Sequence, residues 1–468
     1  MTLPPGFAED AAQVVGSAHV KRDADTRERY GLDSLKQGHA PDLVVLPGST
    51  SEVAAVAEMC HRAWVPLVVR GGGTGYSGGA VPVEGGVVLS LERMNRILEI
   101  DEANLLAVVE PHVITGDLQD AVERVGLFYP PDPASLRESV IGGNVAECAG
   151  GPRAFKYGTT RDYVLGLEVV LPSGEIIRTG SKAVKNVVGY DLTRLIVGSE
   201  GTLAIVTQIV VRLIPKPPMQ VTLRATFDGI EDAVAAVSAI LRARVVPATI
   251  ELVDGECLEA VARHLGQSLA PAGTGALLLL EVDGFPEAVG VEANLVEEAC
   301  RAAGATEVLR AATAADRESL WRVRRELSPA LKTISPVKLN NDVVVPKGRL
   351  PELFDLVRQL KQELRLRIPC FGHAGDGNIH VNIMVEPGNS DELARARAAV
   401  RQLFEGVVAL EGSISGEHGI GFSKAPYIGI ELSHDVIALM KRLKHAFDPH
   451  GILNPGKIFP PDEAAPCT

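Results

Sequence analysis

Residues 70–79 read Arg-Gly-Gly-Gly-Thr-Gly-Tyr-Ser-Gly-Gly and follow an apolar run, Pro66–Arg70, that is typical of a β-strand. A backbone with few side chains can approach an anion closely and direct several N–H groups at it. Residues 73–78 also match the GxGxxG pattern of Rossmann folds, but that pattern must open a helix. Here residues 79–83, Gly-Ala-Val-Pro-Val, lead into another strand. The sequence therefore predicts a phosphate-binding loop outside a Rossmann unit, with a flexible surface loop as the alternative.

Short helices and strands alternate on both sides of this loop. Ser51–Arg62 carries an apolar stripe of helical period, and strands are expected at Val87–Leu91, Leu105–Val109, Leu165–Leu171 and Leu203–Ile214. The prolines at 215, 217 and 218 interrupt this pattern and predict a domain boundary. Beyond them, strands are expected at Thr222–Phe227, Thr249–Val253, Leu277–Val282, Asp342–Val345 and His380–Val385, with amphipathic helices between. A chain of 468 residues is too long for one ordinary core, so we expect an α+β protein of more than one domain.

Composition excludes several classes of function. A net charge of −13 argues against a nucleic-acid surface, which needs clustered Lys and Arg. The first ten residues do not resemble a signal peptide, and no apolar run is long enough for a transmembrane helix. The six cysteines, at 60, 148, 257, 300, 370 and 467, form no CxxC pair, which argues against iron–sulfur clusters and zinc ribbons. We expect a cytoplasmic protein, with peripheral attachment to the inner membrane left open.

Residues 371–382, Phe-Gly-His-Ala-Gly-Asp-Gly-Asn-Ile-His-Val-Asn, predict a metal-binding hairpin. Asp-Gly between strand-like residues indicates a two-residue type I′ turn. With Asp376 and Gly377 in that turn, His373 lies directly opposite His380, on the face that also carries Asn382. Glu417, between glycines in residues 413–421 (Ser-Ile-Ser-Gly-Glu-His-Gly-Ile-Gly), would add a third ligand and leave one coordination position open, as in catalytic sites. Structural histidines without a metal are the alternative.

Together these segments resemble the FAD-linked oxidases, whose FAD-binding domain is of the vanillyl-alcohol-oxidase type. The hairpin and residues 413–421 resemble the metal and catalytic motifs of one branch, which includes the glycolate oxidase flavin subunit, D-lactate dehydrogenases and D-2-hydroxyglutarate dehydrogenases. Residues 448–457, with Asp448-Pro449 and Asn454-Pro-Gly-Lys457, extend the resemblance nearly to the end of the chain. Four flavin motifs lie in the family's order: residues 70–79; Pro131-Asp-Pro133 with 141–146 and 149–151; Tyr157-Gly158; and 189–192 with 198–202.

The resemblance implies a two-part FAD-binding domain over 1–216 and an α+β substrate (cap) domain with an antiparallel sheet over 217–445. The cap domain would carry the metal site, and residues 446–468 would pack back on the FAD domain. FAD is expected to bind without a covalent link, because the loop 70–79 has no His or Cys. The cofactor contacts that the resemblance implies are Arg70, Gly71, Gly72, Gly73, Thr74, Gly75, Gly78, Gly79, Pro131, Asp132, Ser139, Gly142, Gly143, Asn144, Ala146, Gly150, Gly151, Tyr157, Glu200 and Gly201.

The expected reaction is oxidation of a small D-2-hydroxy acid, D-lactate or glycolate, with hydride transfer to flavin N5. A divalent ion (Zn, Mn or Fe) on His373, His380 and Glu417 would hold the substrate hydroxyl and lower its pKa. His418 is the candidate general base, and a hydrogen bond to a metal ligand is its alternative role. The candidate substrate-binding residues are Arg324, Lys338 and Asn382, with a solvated helix face as the alternative for Arg324.

Several alternatives remain open at this level. D-2-hydroxyglutarate is a less favoured substrate, because Phe371 stands where the dicarboxylate branch tends to carry a second His. An aryl-alcohol oxidase, an alkyl-ether-forming transferase or a non-catalytic flavin-binding electron-transfer subunit could use the same fold, but none of them needs the paired histidines. A metal-dependent hydrolase would leave the flavin motifs unexplained. The electron acceptor could be a quinone, an iron–sulfur subunit, an electron-transfer flavoprotein or a cytochrome, and the protein could be a homodimer or a subunit of an oxidase complex.

Overall fold

A computed structural model describes residues 3–460, which contain eighteen strands and sixteen α-helices. The strands are β1 Val20–Lys21, β2 Leu43–Val45, β3 Leu67–Arg70, β4 Val87–Ser90, β5 Ile97–Asp101, β6 Leu106–Val109, β7 Leu127–Phe128, β8 Val164–Val170, β9 Ile176–Gly180, β10 Ile205–Arg212, β11 Ile214–Pro215, β12 Met219–Phe227, β13 Thr249–Asp254, β14 Ala276–Gly284, β15 Glu307–Arg310, β16 Val337–Val344, β17 Cys370–His373 and β18 Asn378–Val385. The helices are α1 Phe7–Val15, α2 Ala24–Tyr30, α3 Thr50–Ala63, α4 Thr115–Glu123, α5 Ile141–Glu147, α6 Ala154–Tyr157, α7 Thr160–Tyr163, α8 Leu192–Ile196, α9 Ile230–Arg242, α10 Gly255–Leu265, α11 Pro286–Ala302, α12 Ala314–Ile334, α13 Leu350–Leu364, α14 Ser390–Ala409, α15 Ile428–Glu431 and α16 His434–Phe447.

The chain forms two compact units. Unit 1 comprises the described parts of Met1–Gly150, Thr159–Lys216 and Glu417–Thr468, and unit 2 comprises Gly151–Gly158 and Pro217–Gly416. The boundary between Lys216 and Pro217 therefore lies within the proline-rich stretch 215–218, where the sequence predicts a domain boundary. Two other assignments differ from that division. Residues 417–445 belong to unit 1, because their first residues are hydrogen-bonded to its loops, and residues 151–158 belong to unit 2, where Lys156 bonds to Asp283.

Unit 1 is built on two main sheets. Within the described residues, the first has the strand order β1-β2-β4-β3, and β4 pairs in parallel with both β2 and β3. The second has the order β5-β6-β10-β8-β9 and is antiparallel throughout. Helix α3 buries the predicted stripe of Val53, Val56, Ala57 and Cys60 in the core beside the first sheet. The glycine loop follows β3 and leads to β4 without an intervening helix, so a Rossmann unit is absent from this part of the described chain.

The C-terminal segment adds to the first sheet of unit 1. The Leu67 N–H donates to the Ile452 carbonyl at 2.8 Å, and the Asn454 N–H donates to the Leu67 carbonyl at 2.8 Å. The Asn454 side chain then accepts from the Val69 N–H at 3.0 Å and donates to the Glu200 carbonyl at 2.7 Å. Residues 461–468, including Cys467, lie outside the described part of the chain.

Unit 2 is built on an antiparallel sheet. Its order within the described residues is β15-β12-β14-β13-β17-β18-β16, and every neighbouring pair is antiparallel. Helices α9 and α11 contact β12 and β14 and bury apolar side chains such as Val237 and Val296. No helix within residues 3–460 combines the length and the apolar composition needed to cross a membrane.

We expect Asn454→Ala to lower the free energy of unfolding by about 3 kcal/mol, because it leaves the Val69 N–H and the Glu200 carbonyl buried without partners. Urea unfolding followed by circular dichroism measures this change. Asn104→Ala is the matched control, since the side-chain amide of the exposed Asn104 donates to Asp101 of its own turn. Equal stability of the two variants would contradict the bridging role.

Candidate active site

The glycine loop of unit 1 presents a run of unengaged backbone donors. From Gly72 to Ser77, no backbone N–H donates to an acceptor within residues 3–460. A β-carbon added at Gly75 would meet no atom within 4 Å, so the loop is open at this point. Successive N–H groups without acceptors form an anion-binding concavity. This observation fits the diphosphate of FAD. Arg70 instead donates to the Leu32 carbonyl at 2.6 Å and so anchors the start of the loop.

The second flavin motif packs against this loop. A β-carbon at Gly72 would stand 2.7 Å from the Glu138 carbonyl oxygen, and one at Gly142 would stand 2.6 Å from Cβ of Pro111. Both positions therefore require glycine for a close backbone approach. The side chains of Ser139 and Asn144 are both bonded to the Thr115 hydroxyl, at 3.1 and 2.7 Å. The structure thus brings residues 70–79 and 138–144 together, as their joint assignment to one cofactor requires.

The third flavin motif, and Gly151 of the second, belong to unit 2. The resemblance implies both Tyr157 and Gly151 as cofactor contacts. The Tyr157 hydroxyl donates to Oδ2 of Asp283 at 2.7 Å, and Lys156 Nζ donates to the carbonyl of Asp283 at 2.6 Å. The segment 151–158 is therefore fixed to β14 of the unit 2 sheet.

The segment that carries the candidate base is bound to the glycine loop within unit 1. The N–H groups of Phe422 and Ser423 both donate to the Ser77 carbonyl, at 3.1 and 3.2 Å. A β-carbon at Gly78 would stand 2.1 Å from the Phe422 ring, so this contact requires a glycine. The imidazole of His418 lies against the Tyr76 ring, with 5.5 Å between ring centroids. His418 is therefore held beside the loop that fits the cofactor.

Two buried carboxyl groups lie beneath this segment. Glu200 accepts from the N–H groups of Ile420 and Gly421 at 2.7 and 2.6 Å. Oε2 of Glu147 is buried and has no hydrogen-bond partner within the described residues. Burial, and then the charge of Glu200, raise the pKa of Glu147 well above its ordinary value. Burial also raises the pKa of Glu200, but its two N–H bonds and Lys424 oppose that shift. We therefore assign the proton to Glu147 and the negative charge to Glu200.

The hairpin of unit 2 for which metal binding is predicted differs in register from the prediction. His373 pairs with Asn378, and His380 pairs with Phe371. The connection is thus four residues, 374–377, because only Gly377 has a positive φ (80°), whereas a type I′ turn needs one at Asp376 as well. The predicted opposition of the two histidines is wrong. A shift of two residues keeps both on the same face, as diagonal neighbours with ring centroids 5.4 Å apart.

Glu251 of β13 orients His373. Both histidines of the hairpin are buried, and Nδ1 of His373 is hydrogen-bonded to the Glu251 carboxylate. Burial alone would raise the pKa of Glu251, but His373 and Arg324 outweigh it and lower this pKa to about 2. A carboxylate on one ring nitrogen fixes the tautomer and makes the other nitrogen a better metal ligand. Arg324, a candidate substrate ligand, uses its Nε for the same carboxylate.

Asp342 of β16 lies beside His380 without a hydrogen bond to its Nδ1. It is paired in register with His380, and its Oδ1 lies 3.7 Å from Nδ1 of that ring. The same carboxylate accepts from the Asn378 amide at 2.6 Å and from the Gly416 N–H at 2.9 Å. Asp342 therefore links the hairpin to the residue that precedes Glu417 in the chain.

Lys338 and Asn382 lie on the same sheet face, further along the strands. Asn382 is fully buried and pairs in register with Asn340; its Oδ1 has no partner within residues 3–460. Lys338 is half-buried, and burial followed by the charge of Lys332 lowers its pKa to about 8. No hydrogen bond or ion pair engages its Nζ within the described residues, so this ammonium is available to an anion.

Sequence analysis missed Glu147, Glu251 and Asp342. The available signal was an ionisable residue inside an apolar strand: Glu251 lies in Thr249–Asp254 and Asp342 in Val337–Val344. Such residues are rarely buried unless they are paired. Glu147 gives no comparable signal, because it ends a short helix and its burial depends on residues 270 positions later in the chain, around Gly419.

Two family descriptions match the chain. "FAD binding domain" matches residues 41–180, and "FAD linked oxidases, C-terminal domain" matches residues 216–458. The glycolate oxidase subunit GlcD of Bacillus subtilis (strain 168) is 44% identical over 455 residues, which cover 97% of each chain. A D-lactate dehydrogenase of Anaerostipes hadrus is 38% identical over 427 residues, with 89% of each chain covered. The chain therefore belongs to the FAD-linked oxidase family and is an FAD-dependent oxidoreductase.

Solved structures show the same fold at lower identity. p-Cresol methylhydroxylase with substrate bound superposes with a TM-score of 0.81 at 20% identity, covering 98% of each chain. The 4-ethylphenol oxidase from Gulosibacter chungangensis superposes with a TM-score of 0.78 at 22% identity, covering 98% of this chain and 99% of that one. These are flavoproteins of the vanillyl-alcohol-oxidase type, and the predicted α+β fold class with its two-part FAD-binding domain is confirmed.

We expect Glu147→Gln to change how stability depends on pH. Below the ordinary pKa of 4.5 the Glu147 carboxyl is protonated in both the folded and the unfolded state. Above it only the unfolded state ionises, so this group lowers the free energy of unfolding by about 1.4 kcal/mol per pH unit, up to its raised pKa. Glu147→Gln removes that loss and should be more stable than wild type at pH 8 but not at pH 4.5. Urea titrations at both pH values test this, with the exposed Glu58→Gln as control; a difference independent of pH would contradict it.

Proposed function

We propose that this protein oxidises a small D-2-hydroxy acid, D-lactate or glycolate, to the 2-oxo acid and passes the electrons to an acceptor other than oxygen. The observation that carries the proposal is the attachment of the His418 segment to the glycine loop through the Ser77 carbonyl. It puts a potential base beside a loop that fits FAD. The two relatives described above, a glycolate oxidase subunit and a D-lactate dehydrogenase, support this substrate class.

A divalent ion, Zn, Mn or Fe, is part of the proposal. His373, His380 and Glu417 would hold it, and the donor chemistry is suitable, because His373 already has a carboxylate on its other ring nitrogen. Glu417 follows Gly416, whose N–H is bonded to Asp342 beside His380, so chain connectivity supports the third ligand. This ligand set leaves a position for the substrate hydroxyl.

The proposed roles of the chain's residues follow from charge and position. Bound FAD would accept the hydride from C2, and the metal ion would supply positive charge at the hydroxyl. His418 takes the hydroxyl proton, since a neutral imidazole is an effective base near neutral pH. Lys338 binds the substrate carboxylate and Asn382 offers an amide oxygen. Arg324 acts mainly through Glu251, which occupies its Nε.

The partners of the reaction are also proposals. The GlcD relatives are named as subunits, which supports assembly of this chain into an oxidase complex, with a homodimer as the alternative. The acceptor could be a quinone, an iron–sulfur subunit, an electron-transfer flavoprotein or a cytochrome. A cytoplasmic location, with or without peripheral contact to the inner membrane, agrees with these partners. D-2-hydroxyglutarate remains the second choice of substrate, and Phe371 in place of a second histidine is the feature against it.

Anaerobic mixing of the FAD-loaded protein with D-lactate, L-lactate, glycolate and D-2-hydroxyglutarate tests the reaction directly. We expect D-lactate or glycolate to bleach the flavin absorbance. His418→Gln should keep its FAD and bleach about 100- to 10,000-fold more slowly, the usual effect of losing a general base. His434→Ala, at a histidine whose side chain is 96% exposed, is the control and should bleach like wild type. A yellow protein that none of the four acids bleaches would refute the proposal.

We expect Glu251→Gln to weaken metal binding about 10- to 100-fold, because a neutral amide no longer stabilises the His373 ligand. Competition with a chromogenic chelator measures the affinity for zinc or manganese. Glu307→Gln, an exposed carboxylate of the same sheet, is the matched control. Unchanged affinity in Glu251→Gln would argue against His373 as a ligand.

Lys338 should make substrate binding depend on pH. With a pKa of about 8, its ammonium is charged at pH 7 and largely neutral at pH 9, so KM for the 2-hydroxy acid should rise across this interval. Lys338→Gln should raise KM at pH 7 about tenfold, the value of a charge-assisted hydrogen bond of about 1.5 kcal/mol, and should flatten the pH dependence. Steady-state kinetics at pH 7 and pH 9 measure KM. Lys216→Gln, at a surface lysine, is the control. An unchanged KM would remove Lys338 from the substrate site.

A further inference from the structure

We propose that Glu200 is a positioning residue for the reaction, which holds the Glu417–His418 segment in place, and that its carboxylate does not bind the flavin. The inference rests on the proposed function for His418. It departs from the resemblance, which implies Glu200 as a cofactor contact.

Both oxygens of the Glu200 carboxylate are already engaged. Oε1 accepts from the Ile420 N–H at 2.7 Å, and Oε2 accepts from the Gly421 N–H at 2.6 Å. The residue is 6% exposed. Hydrogen bonds to an ionised acceptor are about twice as strong as neutral ones. Two of them on consecutive backbone groups fix the chain immediately after His418.

The backbone of Glu200 is itself held on both sides. Its N–H donates to the Ala146 carbonyl at 2.7 Å, and its carbonyl accepts from the Asn454 amide at 2.7 Å. Its φ of 53° is in the left-handed region, which a non-glycine residue adopts only when its surroundings compensate for the strain. The side chain therefore starts from a rigid point and reaches a defined place beneath the segment.

The glycines around His418 are required by this contact. A β-carbon at Gly419 would stand 2.1 Å from Oε2 of Glu147 and 3.0 Å from Oε1 of Glu200. A β-carbon at Gly421 would stand 2.1 Å from the Ser77 carbonyl oxygen. Side chains at either position would push the segment off the carboxylate. The glycines at 416, 419 and 421 are therefore a condition for close packing of this segment.

The two carboxyl groups of this cluster have different roles. Lys424 and Lys457 favour the charged form of Glu200, whereas Glu147 has no donor on its Oε2 within the described residues. The single negative charge of these two carboxyl groups is therefore on Glu200, whose carboxylate accepts the two N–H groups. Replacement of Glu200 by Gln keeps the volume but turns one acceptor into a donor that faces an N–H.

The experiment compares Glu200→Gln with Glu110→Gln. Glu110 is a matched control, because it is 4% exposed, lies in the same unit and accepts the Arg96 N–H at 2.8 Å, far from residues 417–423 in sequence. Hydrogen exchange followed by mass spectrometry reports on the amides of Ile420 and Gly421. Absorbance gives the FAD content, and steady-state turnover of the wild-type substrate with an artificial electron acceptor gives kcat and KM.

For Glu200→Gln we expect at least tenfold faster exchange in peptides covering 417–423, and a kcat at least tenfold lower, with KM changed less than twofold and one FAD per chain retained. Glu110→Gln should match wild type in all four measurements. Loss of FAD in proportion to activity, with exchange unchanged, would overturn the inference and make Glu200 a flavin ligand.

Two further measurements separate the possible failures. If Glu200→Gln does not fold, hydrogen exchange of the wild-type protein tests the inference. The amides of Ile420 and Gly421 should then be protected. Exchange of these amides as fast as in open loops overturns the inference. If no 2-hydroxy acid reduces the wild-type flavin, the proposed function fails, while the exchange and FAD measurements still show whether Glu200 holds the segment.

Discussion

The Ser77 carbonyl oxygen accepts two hydrogen bonds, from Phe422 and Ser423, and these bonds join parts of the chain that are more than three hundred residues apart. Glu200 adds two more bonds to the same segment from a third part of the chain. A hydrogen bond contributes only about 1 kcal/mol on average, but a buried donor left without an acceptor costs more than that. The loop that fits the cofactor and the segment that carries His418 therefore stabilise each other. Backbone hydrogen bonding of residues 420–423 thus contributes to the placement of the candidate base, together with the contact of its ring with Tyr76.

In the sheet of unit 2, the cost of burying charged groups is offset by hydrogen bonds and ion pairs among them. One face carries buried charged and amide groups, among them Glu251, Asp342, His373 and His380, which together are costly to bury. Each carboxylate is compensated: Glu251 by His373 and Arg324, and Asp342 by the Asn378 amide and the Gly416 N–H. A sheet that served only as a scaffold would be more stable with apolar residues at these positions. The cost is consistent with a face kept for chemistry, and the compensation explains why the sheet tolerates it.

Local patterns predicted much of the fold. The helix predicted at Ser51–Arg62 is present as Thr50–Ala63, and the strand before the glycine loop is present, because their signals lie within a few consecutive residues. The hairpin register was predicted two residues out, since the turn depends on the φ of Asp376 and on the approach of Gly377 to the Val345 carbonyl. The roles of Glu147 and Glu200 could not be predicted, because they arise from packing between distant segments. Family resemblance identified Glu200 as important, but only the geometry indicates what its carboxylate contacts.

Unit 1 is not a continuous stretch of the chain: it is interrupted by residues 151–158 and 217–416 and completed by the segment that begins at Glu417. During translation, the ribosome therefore delivers all of unit 2 before the partners of Ser77, Glu200 and Val69 exist. Until then, the glycine loop lacks the segment that covers it and β3 lacks its C-terminal neighbour. A nascent chain that stalls within unit 2 therefore lacks the segment that carries Glu417 and His418.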